Sequence, residues 1–596
     1  MCDNDRHCRQ EVRMKKTVLT LTVVAFLAFT AGNVLAQTAE DAKFNKFQDT
    51  FWDAYFKLFP TAGTLQGYTK YNDKLEDLSQ ATIEKFLESV DGFNQELVAK
   101  IDKFKLSPEK QIEQEIMRDF LDLQVLRLEN SLFLIDNPLY YNGLFVNSVR
   151  SLIIRNPGAP AAAARARLLP GLIKKAKDNL KNPPQEYTEA AIKQLPGIMD
   201  FYKTDIAKLG GSANGLLAET PKVVAALEDY QRFLQNELLP RSNGNFRGGE
   251  THVKLLRYLT QGNLSITADI VARSKADFNN IRRDMFFVCM PFYKIMYPGV
   301  NMDQIGANIA DRPTREEQIR RVVIQGVLDK IKTDHPGRDE FVGRISQSAA
   351  TIKNFIEQTK LLDLPEESLQ IEPMPAYMVG GGWFQLAGPG AFESSGPSTL
   401  YVQAIPSDWS ADQTSSFLEE HNNYYVDFMT VQRVYPGSYA PAYFTRKDPS
   451  VIKRMAANQA LLKGWPVYIE DMLVQSGFGN FDLRMRLNQL KLMLKNVIDF
   501  QMDMNVHEGT YAKEKVVDYM MHGGFMTQAE AEARWNHIVL DPGEATLAYI
   551  GYQEIMELAG DYAKLKGAAF SQKDFLQKLT SFGAIPLRTL KTKLAQ

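Results

Sequence analysis

Apolar residues recur along most of this chain at three- and four-residue spacing, the period of helices with one buried face. Phe44, Phe47, Phe51, Tyr55 and Leu58 form one such aromatic face, on a helix that Pro60 is expected to end. Ile116 to Leu134 predicts a longer apolar-rich helix. Leu483 to Met504 carries Leu487, Leu490, Met493, Leu494, Val497 and Ile498 and is apolar almost all round, which predicts a helix at the centre of a bundle. The pattern breaks at Ala376 to Ile405. There Gly380-Gly381-Gly382, Gly388-Pro389-Gly390 and Ser394-Ser395-Gly396-Pro397 punctuate short stretches such as Tyr401 to Ile405, predicting loops with a small strand or hairpin. In a helical protein such a ribbon is expected to edge a cleft, where an extended peptide can add as a strand. No GKS or GKT follows the glycines, so a P-loop is excluded. The expected fold is mainly α, a large helical bundle with a small β ribbon near a cleft. Loops at Asn156 to Pro160 and Arg241 to Gly249 suggest two subdomains, about 37–240 and 250–596, rather than independent modules.

The N-terminus adds a destination. Lys15 and Lys16 precede an uncharged run from Thr17 to Ala31 that is short for a membrane span, and Val34-Leu35-Ala36 satisfies the small-residue rule for cleavage. Residues 1–36 read as a signal peptide, with translation beginning at Met14 as an alternative start. The mature chain is then exported, periplasmic or secreted, with no membrane span left after cleavage. Cleavage also removes Cys2 and Cys8, leaving Cys289 in an apolar stretch, where a lone thiol is an inert core residue.

Composition narrows the chemistry. With 45% hydrophobic residues, 34 Phe and 24 Tyr, the chain can bury enough surface to fold. A net charge of −2 gives no footprint for nucleic acid. The seven histidines (His7, His252, His335, His421, His507, His522 and His537) bound any imidazole metal site. No HExxH is present: His507-Glu508 opens one, but Tyr511 stands where the second ligand belongs. No GxSxG elbow occurs either.

Resemblance carries the reading further. Asn423-Tyr424-Tyr425, the run Thr430-Val431-Gln432-Arg433-Val434-Tyr435-Pro436-Gly437-Ser438-Tyr439, and Lys463-Gly464-Trp465-Pro466-Val467-Tyr468-Ile469-Glu470 resemble paired motifs of the bacterial domain-of-unknown-function family eight-eight-five, a zinc-metallopeptidase-like group. Pro60, Gly67, Tyr71, Leu75, Asp77 and Ser79 resemble its N-terminal pattern, and Gly551-Tyr552 and Gly583 to Leu587 its C-terminal one. The resemblance implies one peptidase-like helical domain over 37–596, of gluzincin-like architecture. Gln432 stands where the family has its first His, Arg433 where it has the Glu, Ser438 where it has the second His, and Lys463 where it has the Glu of E-G-W. Ala548 falls where a Tyr is common, with Tyr549 one residue out of register. Tyr435, Gly437, Trp465, Glu470 and His507 are retained.

Zinc hydrolysis needs imidazole or carboxylate ligands and a carboxylate base. Gln and Ser are poor ligands, Arg is no base, and like charges near 4 Å repel by about 4 kcal/mol. The resemblance therefore implies a peptidase-like protein without zinc or catalytic residues, a pseudoenzyme with a cleft for a peptide or protein ligand. Arg433 and Lys463 could there hold a carboxylate in place of the metal; the plainer explanation of the retained residues is packing. Two rivals stand beside this: an active metallohydrolase with a displaced site around His507, and a structural envelope protein.

Overall fold

Thr38 opens the first helix of the computed structural model, Ala39–Leu58. Its hydroxyl accepts from Asp41 N at 2.9 Å while Asp41 accepts from Thr38 N at 3.3 Å, a reciprocal cap. The structure describes residues 38–129, 134–155, 160–209, 214–260, 268–379, 382–393 and 395–595. The signal expected over residues 1–36 lies outside them, as do Gly380, Gly381, Ser394 and most of the Asn156 to Pro160 loop.

Phe44, Phe47, Phe51 and Leu58 are buried as their spacing requires. The helix ends at Leu58, and Pro60 becomes the first residue of the next, Pro60–Leu65, where its missing N–H has no helical partner to lose. The helix expected over Ile116 to Leu134 is Pro108–Glu129. Its first turns are mostly polar, which hid their helicity, and Leu134 is buried beyond its end.

Helices make up most of the described chain, and the strands form one small sheet. The sheet has three strands rather than a hairpin: β1 (Leu369–Pro373), β2 (Phe384–Ala387) and β3 (Ser398–Val402), in the order β1-β3-β2. β1 runs parallel to β3, pairing Leu369 with Ser398, and β2 runs antiparallel to it, pairing Phe384 with Val402. β1 precedes the glycine-punctuated stretch.

Eight helices contribute walls to one large cavity: the short helix Val451–Met455 and the seven labelled α1 (Ala411–Glu420), α2 (Asn423–Arg433), α3 (Tyr439–Lys447), α4 (Gln459–Gln475), α5 (Leu483–His507), α6 (Gln528–Leu540) and α7 (Glu544–Lys566). α5 is the central helix its apolar pattern predicts; α2, α4, α6 and α7 all pack against it. Buried apolar residues form two clusters. One runs from Phe44 to Leu259 and resumes over 341–492 and 547–594; the other joins 256–331 to 487–550, so α5 lies between them with most of its buried apolar residues in the second. Cys289 is buried in that cluster, and burial pushes its thiol up to about 12, as expected of an inert core residue. No described helix is long and apolar enough to cross a membrane.

Candidate functional site

α4 and α7 cross at two glycines. A Cβ on Gly464 would stand 2.1 Å from the Gly551 carbonyl carbon, and one on Gly551 would stand 1.8 Å from the Ala460 oxygen. This contact brings α4 close against α7 and sets the back of the cavity, whose volume is about 930 Å³. The cavity opens between α2, α3, α4, α5, α6 and α7, with Trp383, Pro389, Gly390 and Ala391 from the β2–β3 region on its rim.

Gln432, Arg433, Ser438 and Lys463 all line this cavity, as does Ala548. The other motif residues stand behind it or elsewhere. Trp465 is buried and its indole donates to the Pro436 carbonyl at 2.9 Å, holding the Tyr435-Pro436-Gly437 turn in place. A Cβ on Gly437 would come within 2.2 Å of the Gln432 carbonyl, so the turn requires glycine. The Tyr435 hydroxyl accepts from Leu369 N at 3.1 Å, tying the turn to β1. Tyr549 is turned away and donates to Asp277 at 2.7 Å. His507 is fully buried on α5, outside the cavity.

Three of the four motif positions are held by partners within the protein, and none of the four suits a divalent metal. The Gln432 amide donates to Glu470 at 2.7 Å, and burial raises the Glu470 carboxyl well above its usual range. Ser438 Oγ donates to the Gln432 carbonyl at 2.9 Å. Lys463 pairs with Glu544 across the cavity at 3.1 Å. Arg433, the last residue of α2, is exposed to the cavity, and no carboxylate pairs with it among the described residues. None of these is a ligand of the type zinc takes, and a guanidinium is not a carboxylate base.

The displaced alternative fares no better geometrically. His252, Asp503 and His507 do gather, with one ligating atom from each within 4.8 Å of the others. Yet both His507 nitrogens are engaged: Nδ1 accepts from Gly248 N at 3.2 Å and Nε2 donates to the Ile538 carbonyl at 3.1 Å. The two rings stack 4.2 Å apart and 21° from parallel, so their in-plane lone pairs do not converge on one ion. Asp503 instead accepts from His252, Gly543 N and Thr546, which fixes the start of α7.

The cavity floor holds a buried ion network that the motifs and periodicity did not reveal. Lys495, 1% exposed, contacts Glu420 at 3.2 Å and Glu530 more closely. Arg534 bonds Glu530 at 3.2 Å and also Asp499. Burial raises the Glu420 carboxyl. It acts on Glu530 too, but Lys495 and Arg534 outweigh it and hold Glu530 far below the usual range. A readable signal existed on α5: Lys491, Lys495, Asp499, Asp503 and His507 fall every fourth residue, a ridge of ionisable side chains along one face of the helix. Glu530 was hidden because, three residues after Thr527, it occupies the place of a capping-box acid.

Six cationic side chains line the cavity (Arg433, Arg446, Arg454, Lys463, Lys495 and Arg534) against four carboxylates (Glu420, Asp499, Glu530 and Glu544). Arg446 is held by Glu367 from outside it. The surplus falls at Arg433 and at Arg454, whose buried Nε meets no acceptor.

A mainly α-helical scaffold around a polar, cation-surplus cleft is thus the class of protein defined by the coordinates. Residues 60–594 match the family described as bacterial protein of unknown function (DUF885), and the chain belongs to that family. Two solved structures share the fold. One is a "putative lipoprotein of unknown function" from Shewanella oneidensis, 22% identical, with TM-score 0.76 over 93% of this chain and 100% of that one. The other is a "putative lipoprotein" from Colwellia psychrerythraea, 13% identical, with TM-score 0.72 over 93% of this chain and 99% of that one. The search of curated proteins found no match.

Proposed function

We propose that this protein is an exported binding protein: a peptidase-like scaffold without zinc, whose cleft holds a peptide by a carboxylate. The signal-like N-terminus and the lipoprotein descriptions of the two structural neighbours support export to the cell envelope or beyond it. The observation that carries the binding reading is Arg433, which faces a large cleft without an acidic partner among the described residues. A planar guanidinium in that position suits two-pronged capture of a carboxylate. The volume, about 930 Å³, is ample for a short peptide.

Elemental analysis of the purified protein, run beside a peptide-library cleavage assay, tests this reading. The expected result is no stoichiometric zinc and no cleavage, with peptides retained on the protein. Stoichiometric zinc with chelator-sensitive cleavage would overturn it.

A further inference from the structure

Val467 and Asn496 line a second, smaller cavity of about 230 Å³ as well as the cleft, so the two adjoin. Ile281, Met493, Val497 and Met556 give the smaller cavity apolar walls. Its single carboxylate is Asp277, on the helix Ala268–Met296.

Asp277 is oriented by two neutral donors. The Tyr549 hydroxyl reaches its Oδ2 at 2.7 Å and the Gln553 amide reaches the same oxygen at 2.9 Å. No ammonium or guanidinium stands within ion-pair distance of Asp277 among the described residues. Arg273, one turn away, is drawn off by Glu557 at 2.8 Å and by the Gln553 oxygen at 3.2 Å. Neutral donors aim a carboxylate without cancelling its charge. A tie between two helices would not need that charge, since an asparagine oxygen accepts from the same hydroxyl and amide. A carboxylate at one point of a small cavity walled by methionine and aliphatic side chains is complementary to a cation carried on an alkyl stem.

We propose that this cavity is a subsite for an alkylammonium or alkylguanidinium group, with the stem against Met493, Val497 and Ile281 and the head on Asp277. The cation has two sources, a lysine or arginine side chain of a peptide lying in the cleft, or a free alkyl amine. The peptide form rests on the cleft reading above; the free form does not.

Calorimetric titration of the purified protein separates these. The probes are Nα-acetyl-lysinamide, its norleucine counterpart, and a pair of tripeptides that differ only by lysine against norleucine. The lysine member of each pair should bind about tenfold more tightly, the order of one charge-assisted hydrogen bond, and Asp277→Asn should erase the difference. Equal affinity for lysine and norleucine, or a preference that survives Asp277→Asn, would overturn the proposal. Should Asp277→Asn fail to fold, Met493→Lys, which brings the protein's own ammonium into the cavity, should abolish the lysine preference; its persistence would also overturn the proposal. Peptide binding that depends on Arg433 but ignores lysine removes this subsite and leaves the cleft reading intact. Asp277-dependent binding of acetyl-lysinamide without any peptide binding does the reverse.

Discussion

Gly464→Ala tests whether the retained Gly464-Trp465 pair reflects packing. The added methyl would stand 2.1 Å from the Gly551 carbonyl carbon and 2.4 Å from Tyr552 N. Carbon contacts are comfortable only at about 3.5–4.0 Å, so α4 and α7 must part by more than about 1 Å. Both clashing groups are backbone, so no side chain can rotate away. Overpacking of a well-filled interior costs about 1–3 kcal/mol, and this case belongs at or above the upper end. Replacing a helical glycine by alanine returns about 1 kcal/mol of helix propensity. The net expectation is a loss of about 2 kcal/mol or more, seen as a lower urea midpoint by far-UV circular dichroism. A variant as stable as the parent would refute the reasoning, because it would mean that the two helices do not meet at this glycine pair.

Other expectations come from the charged interior. Lys495→Met leaves Glu420 and Glu530 without their shared cation and should cost about 3–5 kcal/mol in urea unfolding; an unchanged midpoint contradicts the network. Burial lowers the His421 imidazole from its ordinary 6.5 to about 4. The unfolded chain therefore takes the proton first, and stability present above about pH 6.5 falls by up to about 3 kcal/mol as pH drops toward 4. His421→Gln should flatten that slope, and an identical slope in both proteins would remove His421 as its source. Combining Gln432→His, Arg433→Glu, Ser438→His and Lys463→Glu should raise the zinc content measured by elemental analysis above that of the parent; no gain in a folded variant would count against the motif correspondence.

The apolar face of Ala39–Leu58 and the central placement of α5 were legible because burial there follows the helical period, which sequence displays directly. The glycine-rich rim was legible from its punctuation, although β1 lay before the window that drew attention. That Gln432, Arg433, Ser438 and Lys463 share one cavity came from motif resemblance, not from periodicity. The ion network was not seen because its members come from α1, α5 and α6, more than a hundred residues apart at the extremes, and meet only through tertiary packing. Its one local trace, the every-fourth-residue ridge of α5, was masked by the apolar residues around it. Tyr549 was grouped with the cleft by register, yet one residue along a helix turns a side chain by roughly 100°, enough to send it to Asp277 instead.

The role proposed for Arg433 is to make this cleft a receptor for a carboxylate. Its most direct test is calorimetric comparison of one tripeptide as the free acid and as the C-terminal amide, against the parent and Arg433→Ala. The parent should bind the acid at least tenfold more tightly than the amide, and Arg433→Ala should bind both alike. Equal affinity of the parent for acid and amide, or an acid preference that survives the loss of Arg433, would contradict it.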